Sequence, residues 1–204
     1  MKSYAILPRL EVKNLSRSFG NLTVVDKVSF QISSGQVTCL LGPSGCGKST
    51  TLRMIAGVET PSSGQIFVEE KLIGSTTFQV PPEARSIGLM FQDFALFPHL
   101  NVQQNVYFGL SGPKDFKQKR SFDLLKKVGL AHLAFNYPHS LSGGEQQRVA
   151  LIRALAPQPK IMLMDEPFSG LDDRLRDEIR DETFNLLRSE DTAVLMVTHD
   201  PQEA

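Results

Sequence analysis

Residues 42–50 carry the feature that most constrains the fold of this chain, a glycine-rich loop with the pattern G-x-x-x-x-G-K-S-T. The loop follows an apolar run, Val37–Leu41, and it precedes a segment with helix-like patterning, Thr51–Ala56. Between a strand and a helix, such a loop surrounds a polyphosphate with backbone N–H groups and with the positive end of the helix dipole. The sequence therefore predicts a nucleoside triphosphate site on an α/β fold.

The positions of this loop have predicted roles. Lys48 would reach the β- and γ-phosphates, and the Ser49 hydroxyl would ligate Mg²⁺. A chance glycine-rich turn would rarely combine this spacing with a strand before it and a helix after it. The predicted nucleotide-binding residues of the loop are Gly42, Pro43, Ser44, Gly45, Cys46, Gly47, Lys48, Ser49 and Thr50.

A second helix start with anion-binding character lies at Leu141–Arg148. Ser142 can cap the helix, and Gly143 and Gly144 leave its first amides uncovered. One nucleotide has a single γ-phosphate, which the first loop already surrounds, so two such helix ends suggest a site completed by a second copy of the chain. The alternative is an ordinary capped helix, which leaves the double glycine unexplained.

Over nearly its whole length the chain resembles the ATP-binding-cassette (ABC) family, because six motifs occur in the order of that family. Besides the phosphate loop these are the signature LSGGEQ at Leu141–Gln146, the Walker B strand at Ile161–Pro167, a D-loop at Ser169–Asp172, the Q-loop glutamine Gln92 and the switch histidine His199. The resemblance implies an α/β fold: a P-loop NTPase (RecA-like) core with an antiparallel β subdomain and an inserted α-helical subdomain, the ABC ATPase fold.

The resemblance also implies an ATPase with ATP and Mg²⁺ in its site. Glu166 would polarise the attacking water, and His199 would contact the γ-phosphate and orient that water. The predicted catalytic residues are Glu166, His199, Lys48 and Gln92, and the predicted Mg²⁺ residues are Ser49, Gln92 and Asp165. Taken alone, a histidine or a glutamine after a strand is more often structural.

Further nucleotide contacts are implied for residues outside the phosphate loop. The signature residues and the D-loop aspartate would act in the ATP-bound head-to-tail homodimer, and they are Ser142, Gly143, Gly144, Glu145 and Asp172. The family commonly stacks adenine on an aromatic residue, often Tyr, near the end of the first strand. Phe19 fills that position here, and its ring offers the same flat face without a hydroxyl. The alternative for Phe19 is a core position on an edge strand.

The composition excludes some other classes of protein. Lys plus Arg and Asp plus Glu number 22 each, so the net charge is zero and no basic field is expected to hold nucleic acid. Cys39 lies in a predicted buried strand and Cys46 in the phosphate loop, a placement that favours free thiols and a reducing compartment. No apolar run approaches the length of a membrane span. Any membrane role would therefore depend on a partner, and the family resemblance implies a peripheral protein at the cytoplasmic face of a bacterial inner or plasma membrane.

The pattern along the chain divides it into segments. Leu10–Ile32 alternates like two antiparallel strands, and Gln65–Ile73 is predicted to be one further strand. Helical spacing predicts that approximately residues 94–140 form the inserted helical subdomain. Residues 1–204 are expected to be one ABC nucleotide-binding domain that is truncated at its C-terminus.

The Q-loop region resembles that of importer subunits. Its apolar residues Phe94, Leu96 and Phe97 would form a groove for a cytoplasmic helix of an integral-membrane permease. The alternative is that these side chains pack inside the helical subdomain.

The wider sequence resembles subunits that serve ferric iron, polyamines, sulfate, molybdate and sugars, and the segment 174–183 favours ferric iron. A solute-binding protein would then act upstream. The alternative functions are an exporter ATPase and a non-transport ABC ATPase that couples dimer closure to a protein or nucleic-acid partner.

Overall fold

The computed structural model describes residues 7–169 and 173–204. In chain order, the strands of that part are β1 Leu10–Phe19, β2 Leu22–Ile32, β3 Val37–Leu41, β4 Ser63–Val68, β5 Lys71–Ser75, β6 Ile87–Met90, β7 Ile161–Asp165 and β8 Ala193–Thr198. An antiparallel sheet has the order β2-β1-β4-β5, and a parallel sheet has the order β3-β8-β7-β6. The predicted α/β class is therefore confirmed, with the antiparallel strands in a sheet of their own.

The helices lie between these strands. They are α1 Lys48–Ala56, α2 Val102–Tyr107, α3 Lys114–Lys127, α4 Gly143–Leu155 and α5 Asp173–Ser189, and short 3₁₀ turns occur at Pro82–Ala84, Ala131–Leu133 and Pro138–Ser140. Within residues 7–169 and 173–204, none of these helices has the length and apolar character needed to cross a membrane.

The two middle strands of the parallel sheet, β7 and β8, are buried along their whole length. A strand that is covered on both faces has to be apolar at every position, as in Ile161–Met164. One apolar cluster packs α1 and both sheets together, and a second packs Ala150 and Leu151 of α4 and Ile179 of α5 against the parallel sheet. In such sheets ligands bind beyond the carboxyl ends of the strands, so β7 directs Asp165 to the site.

The prediction of one strand at Gln65–Ile73 is wrong, because this segment forms a hairpin. β4 and β5 pair in the antiparallel sense, with Val68 opposite Lys71. Glu69 and Glu70 make the turn between them with φ angles of 46° and 63°. Two-residue turns with positive φ favour Asn and Gly, and a Glu-Glu pair gives no such signal in the sequence.

The helical pattern predicted from Phe94 begins later in the structure. Residues 94–101 contain no helix, and α2 starts after Asn101, whose side chain accepts a hydrogen bond from the Gln104 amide in a capping box. Buried residues of α2, α3 and α4, such as Val106, Leu125 and Val149, make a separate apolar cluster. The limits of the inserted subdomain at 94 and 140 stay a prediction.

Arg85 hydrogen-bonds the last carbonyls of α1, the helix that follows the phosphate loop. Its side chain is almost fully buried, at 2% exposure. The guanidinium donates to the carbonyl oxygens of Met54 at 3.1 Å, Ile55 at 2.8 Å and Val80 at 2.7 Å. The Met54 carbonyl also accepts from the Gly57 amide at 3.1 Å, so Arg85 matters most to the carbonyls of Ile55 and Val80. The last carbonyls of a helix lack partners within the helix, and burial makes an unsatisfied one costly.

Arg85→Met should lower the free energy of unfolding by about 3 kcal/mol, since it leaves buried carbonyls unsatisfied. Arg180→Met is a matched control, because Arg180 is half-buried on α5 and pairs with Asp177 at 3.0 Å. It should cost less than about 1 kcal/mol. Urea unfolding of both variants measures the difference, and equal losses would contradict the role given to Arg85.

Candidate active site

The phosphate loop leaves β3 at Leu41 and enters α1 at Lys48. Gly47 occupies the N-cap position with φ 93°, and a Cβ on it would overlap the Val24 carbonyl oxygen, so only glycine fits there. Among the described residues no side chain caps this helix start. The first amides of α1 are therefore available to an anion, as the sequence predicts.

Lys48 lies inside the loop. Its Nζ donates to the carbonyl oxygens of Gly42 at 2.6 Å and Pro43 at 2.9 Å, and the residue is buried. The chain holds the ammonium beside the loop backbone with hydrogen bonds to its own carbonyls. A phosphate could replace these carbonyls as the hydrogen-bond acceptor without a large movement of the lysine.

Asp165 ends β7 next to this loop. The Ser49 Oγ donates to its Oδ1 at 2.9 Å. Burial raises the pKa of Asp165, the Ser49 hydrogen bond opposes that shift, and the nearby Glu166 charge adds to it. The ionised carboxylate therefore lies where its charge is disfavoured, and a bound cation would offset that cost.

The residues present fit a Mg²⁺ ion. Mg²⁺ prefers a few hard oxygen ligands from protein and completes its shell with water and phosphate oxygens. A cleft of about 520 Å³ beside α1 brings together the three predicted ligands with three other residues, and it is lined by Ser49, Gln92, Asp165, Arg53, Phe91 and Asp93. Arg53 has no role in the sequence analysis, although its charge lowers the pKa of Asp165.

Glu166 stands at the centre of the predicted catalytic group. Its Oε2 accepts a hydrogen bond from Gln92 Nε2 at 3.2 Å, and its Oε1 lies 3.1 Å from His199 Nδ1. Its φ is 46°, which is strained for a residue with a side chain, and its amide donates to the Val197 carbonyl at 2.9 Å. The structure thus brings together three of the four residues that the sequence predicts to be catalytic.

Two residues that the sequence analysis missed fix the turn that carries His199. The Thr198 Oγ1 donates to the buried Glu203 carboxylate at 2.6 Å and accepts from the Asp200 amide at 3.0 Å. The backbone on both sides of His199 is thereby held by one hydroxyl. A Thr and a Glu five positions apart give no motif in a single sequence, so this pair becomes visible only in the fold.

Phe19 is an exposed residue at the end of β1, with 46% of its surface accessible. The alternative of a buried core position is therefore wrong. The Arg17 guanidinium lies 4.5 Å from the ring centroid and also forms an ion pair with Glu59 at 2.5 Å. Arg17 thus supports the aromatic ring, a contact that the sequence analysis did not anticipate.

A cleft of about 470 Å³ joins the aromatic ring, the phosphate loop and the catalytic group. It is lined by Phe19, Val24, Ser44, Gly45, Gly47, Lys48, Ser49, Thr50, Gln92 and Glu166. Its volume lies in the range of small-molecule sites. The predicted contacts for base, phosphates and attacking water therefore border one continuous space.

The signature residues lie elsewhere and do not line this cleft in the described part of the chain. Ser142 caps α4: its Oγ accepts from the Glu145 amide at 3.4 Å, while the Glu145 Oε2 accepts from the Ser142 amide at 2.8 Å. This hydrogen bond and the one from the Ser142 hydroxyl lower the pKa of Glu145. Gly143 is exposed, and a Cβ on it would meet nothing within 4 Å. Asp172 lies outside the described residues.

Comparisons with known proteins identify the family of the chain. The pattern of the ABC transporter family matches residues 25–169. The chain is 46% identical over 200 residues to a ferric-iron import ATP-binding protein of Haemophilus influenzae, covering 97% of the chain and 56% of that relative. It is 47% identical over 203 residues to a putrescine transport ATP-binding protein of Escherichia coli, covering 98% of the chain and 53% of that relative. The chain thus spans about half the length of these relatives.

A solved structure is also similar. It is the dimeric post-hydrolysis state of an ATP-binding cassette bound to ADP and Pi, with a TM-score of 0.81 and 31% identity, covering 96% of this chain and 90% of that one. This likeness confirms the predicted ABC ATPase fold.

Asp165→Asn should raise the melting temperature of the nucleotide-free protein at neutral pH, because it removes a buried charge that the site disfavours. The folded-state pKa of Asp165 is raised, so the cost of its charge disappears as the pH falls through that pKa. The advantage of the Asn variant should therefore shrink in acid, and Mg²⁺ with ATP should stabilise the variant less than the parent. Thermal melts over a pH series measure both effects. An Asn variant that melts lower than the parent at neutral pH would contradict this account.

Proposed function

The chain belongs to the ABC transporter family, and we propose on that premise that it binds and hydrolyses ATP with Mg²⁺ to drive solute import through a separate membrane permease. The observation that carries this proposal is the Glu166 carboxylate, which contacts Gln92 and His199 at the edge of the phosphate-loop cleft. We also propose that residues 1–204 act as one nucleotide-binding domain, with approximately residues 94–140 as its inserted helical part.

The nucleotide would lie across the cleft from Phe19 to Glu166. Its base would stack on the exposed Phe19 ring, and its phosphates would meet the first amides of α1 together with Lys48. Ser49, Asp165 and Gln92 would hold Mg²⁺, which supplies positive charge to the phosphate oxygens.

Glu166 and the side chains around it would have separate roles in hydrolysis. Glu166 would accept a hydrogen bond from the attacking water and turn its lone pair toward phosphorus. Gln92 and His199 hold the two carboxylate oxygens, which orients the acid before water arrives. Lys48 would neutralise charge that develops on the phosphate oxygens.

A second copy of the chain would complete the site. A Cβ at Gly143 would meet nothing within 4 Å, so packing within its own chain does not require glycine there. Glycine nevertheless lowers the stability of a helix. Close approach of a partner's nucleotide to Ser142–Glu145 would explain why a glycine is present. The similar solved structure is dimeric. We therefore propose a head-to-tail homodimer with two equal ATP sites, in which Asp172 also contributes.

An apolar groove beside the Q-loop would receive the permease. Its volume is about 410 Å³, and it is lined by Ile87, Gly88, Leu89, Phe91, Ala95, Phe97, Phe108, Gly109, Arg153, Ala154 and Pro157. Of the three apolar residues named from the sequence, Phe97 lines this groove. Phe94 and Leu96 pack against the core beside the parallel sheet instead. An amphipathic helix with apolar anchors fits such a surface.

The names of two relatives support a proposal for the class of solute. One imports Fe(3+) ions and another transports putrescine, so we propose a small cationic solute, with ferric iron as the first candidate. Selectivity would come from the permease and from a solute-binding protein. The chain would then act at the cytoplasmic face of the membrane as a peripheral subunit.

ATP with Mg²⁺ should convert the Glu166→Gln protein from monomer to dimer, because the amide keeps the shape of the acid and removes the group that activates water. Hydrolysis should fall by about 10² to 10⁴-fold while ATP binding is retained.

Gly143→Ala in the Glu166→Gln background should abolish the dimer without weakening nucleotide binding, because the added methyl clashes only across the interface. Gly109→Ala, where a Cβ makes ordinary contact at 3.6 Å, is the matched control. Sedimentation with ATP separates these outcomes, and a Gly143→Ala protein that still dimerises like the control would remove the shared site.

Phe97→Asp should release the full-length protein from membranes of its source cell, because it places a charge in the apolar groove. Phe116→Asp is the control, since Phe116 is 54% exposed on α3 and does not line the groove. The measurement is the membrane-bound fraction of each tagged variant, together with its ATP affinity, which should not change. Equal membrane binding by both variants would contradict the docking proposal.

A further inference from the structure

The turn that precedes the groove residue Phe97 has an unusual backbone. Phe94 and Ala95 have φ angles of 59° and 45°, so two consecutive residues with side chains occupy the left-handed region. Such residues cost of order 1 kcal/mol or more each, and they persist only where their surroundings hold them. Within the turn, the Phe94 amide donates to the Phe91 carbonyl at 3.0 Å and the Ala95 amide donates to the Asp93 carbonyl at 2.7 Å. The carbonyls of Phe94 and Ala95 are bound by a side chain from outside the turn.

Arg153 provides that support from α4. Its Nη1 donates to the Ala95 carbonyl at 2.6 Å, and its Nη2 donates to the Phe94 carbonyl at 2.9 Å. The planar guanidinium therefore grips both strained residues at once. The same group lies 5.5 Å from the Phe97 ring centroid, and Phe97 packs against Phe108 at 4.4 Å between centroids.

A second polar side chain holds the other half of this segment. Asn105 is fully buried on α2, and its Oδ1 accepts from the Phe97 amide at 2.8 Å. Its Nδ2 donates to the carbonyls of Phe97 at 3.1 Å and Leu100 at 3.0 Å. The groove wall is thus attached to α2 on one side of Phe97 and to α4 on the other.

Arg153 and the signature residues lie on the same helix, α4. α4 is a continuous helix of 13 residues whose first turn is the signature, Gly143–Glu145, and whose last turn contains Arg153. Because backbone hydrogen bonds join each turn of an unbroken helix to the next, we expect α4 to move as one unit. Any displacement of the signature by a partner's nucleotide is therefore also a displacement of the Arg153 guanidinium.

We propose that Arg153 is a positioning residue that makes the Phe97 wall of the groove follow the movement of α4. The inference rests on the proposed function, because it takes the groove as the permease surface and the signature as a nucleotide contact. It adds that one guanidinium and two backbone carbonyls join α4 directly to the groove wall, beside the Asn105 contact from α2, so that the shape of the groove depends on the nucleotide state.

The chain offers a clean reporter for this proposal because it contains no tryptophan. Phe108 is 59% exposed and contacts the Phe97 ring, so Phe108→Trp places a single fluorophore at the groove. In a protein that also carries Glu166→Gln, ATP with Mg²⁺ should shift the emission of this tryptophan. Arg153→Met in that background keeps the aliphatic body and removes every donor.

The Arg153→Met protein should bind ATP with the parent affinity and lose most of the emission shift, because only the Asn105 contact then joins Phe97 to the helices. Hydrogen exchange should show the amides of Phe94 and Ala95 opening about tenfold faster, while the Phe97 amide, held by Asn105, stays protected. Arg180→Met, which removes an arginine from the α5 ion pair, should keep both the shift and the protection.

A second variant covers the case in which Arg153→Met does not fold. Arg153→Lys keeps the charge, yet one ammonium cannot bind two carbonyls with the planar fork of a guanidinium, so most of the shift should again be lost. An Arg153 variant that binds ATP and keeps the full shift overturns the inference, and so does a parent reporter that binds ATP without any shift. If the parent fails to bind ATP, the proposed function fails together with the inference.

Discussion

The burial of β7 is the constraint on which the rest of the structure depends. This strand pairs with β6 on one side and β8 on the other, and every one of its residues is buried. Polar groups can therefore appear only where the strand ends, at Asp165 and the following Glu166. The residues that contact them come from neighbouring strand ends and from α1, so the polar groups of the site lie together at a single edge of the sheet.

The same edge has two unfavourable features, one electrostatic and one in the backbone. Burial disfavours the charge of Asp165, and the backbone of Glu166 has a positive φ. Both features are expected of a site that is prepared for a cation and a polyphosphate rather than for stability alone. The Phe94–Ala95 turn shows the same character away from the nucleotide cleft, where Arg153 holds a strained backbone beside an apolar groove.

The parts of the fold that sequence motifs predict are those with local signals. The phosphate loop, the Walker B strand and the Ser142 cap follow from spacing and residue type, and the structure has each of them. The prediction that Cys39 lies in a buried strand is wrong, because β3 is an edge strand without a fully buried residue. The Glu69–Glu70 turn has no Gly or Asn, so its hairpin could not be seen. Contacts such as Arg17 with Phe19 or Thr198 with Glu203 depend on side chains that only the fold brings together. The signature lies outside the cleft of its own chain, which motifs alone suggest only indirectly.

The central claim is that a working site needs two copies of the chain. Its most direct test is the steady-state ATPase rate per chain, measured at saturating ATP and Mg²⁺ over a wide range of protein concentration. A shared site predicts that the rate per chain rises with concentration and reaches a plateau when all chains are paired. A rate per chain that stays constant down to the highest dilution would contradict the account, because it would mean that one chain hydrolyses ATP unaided.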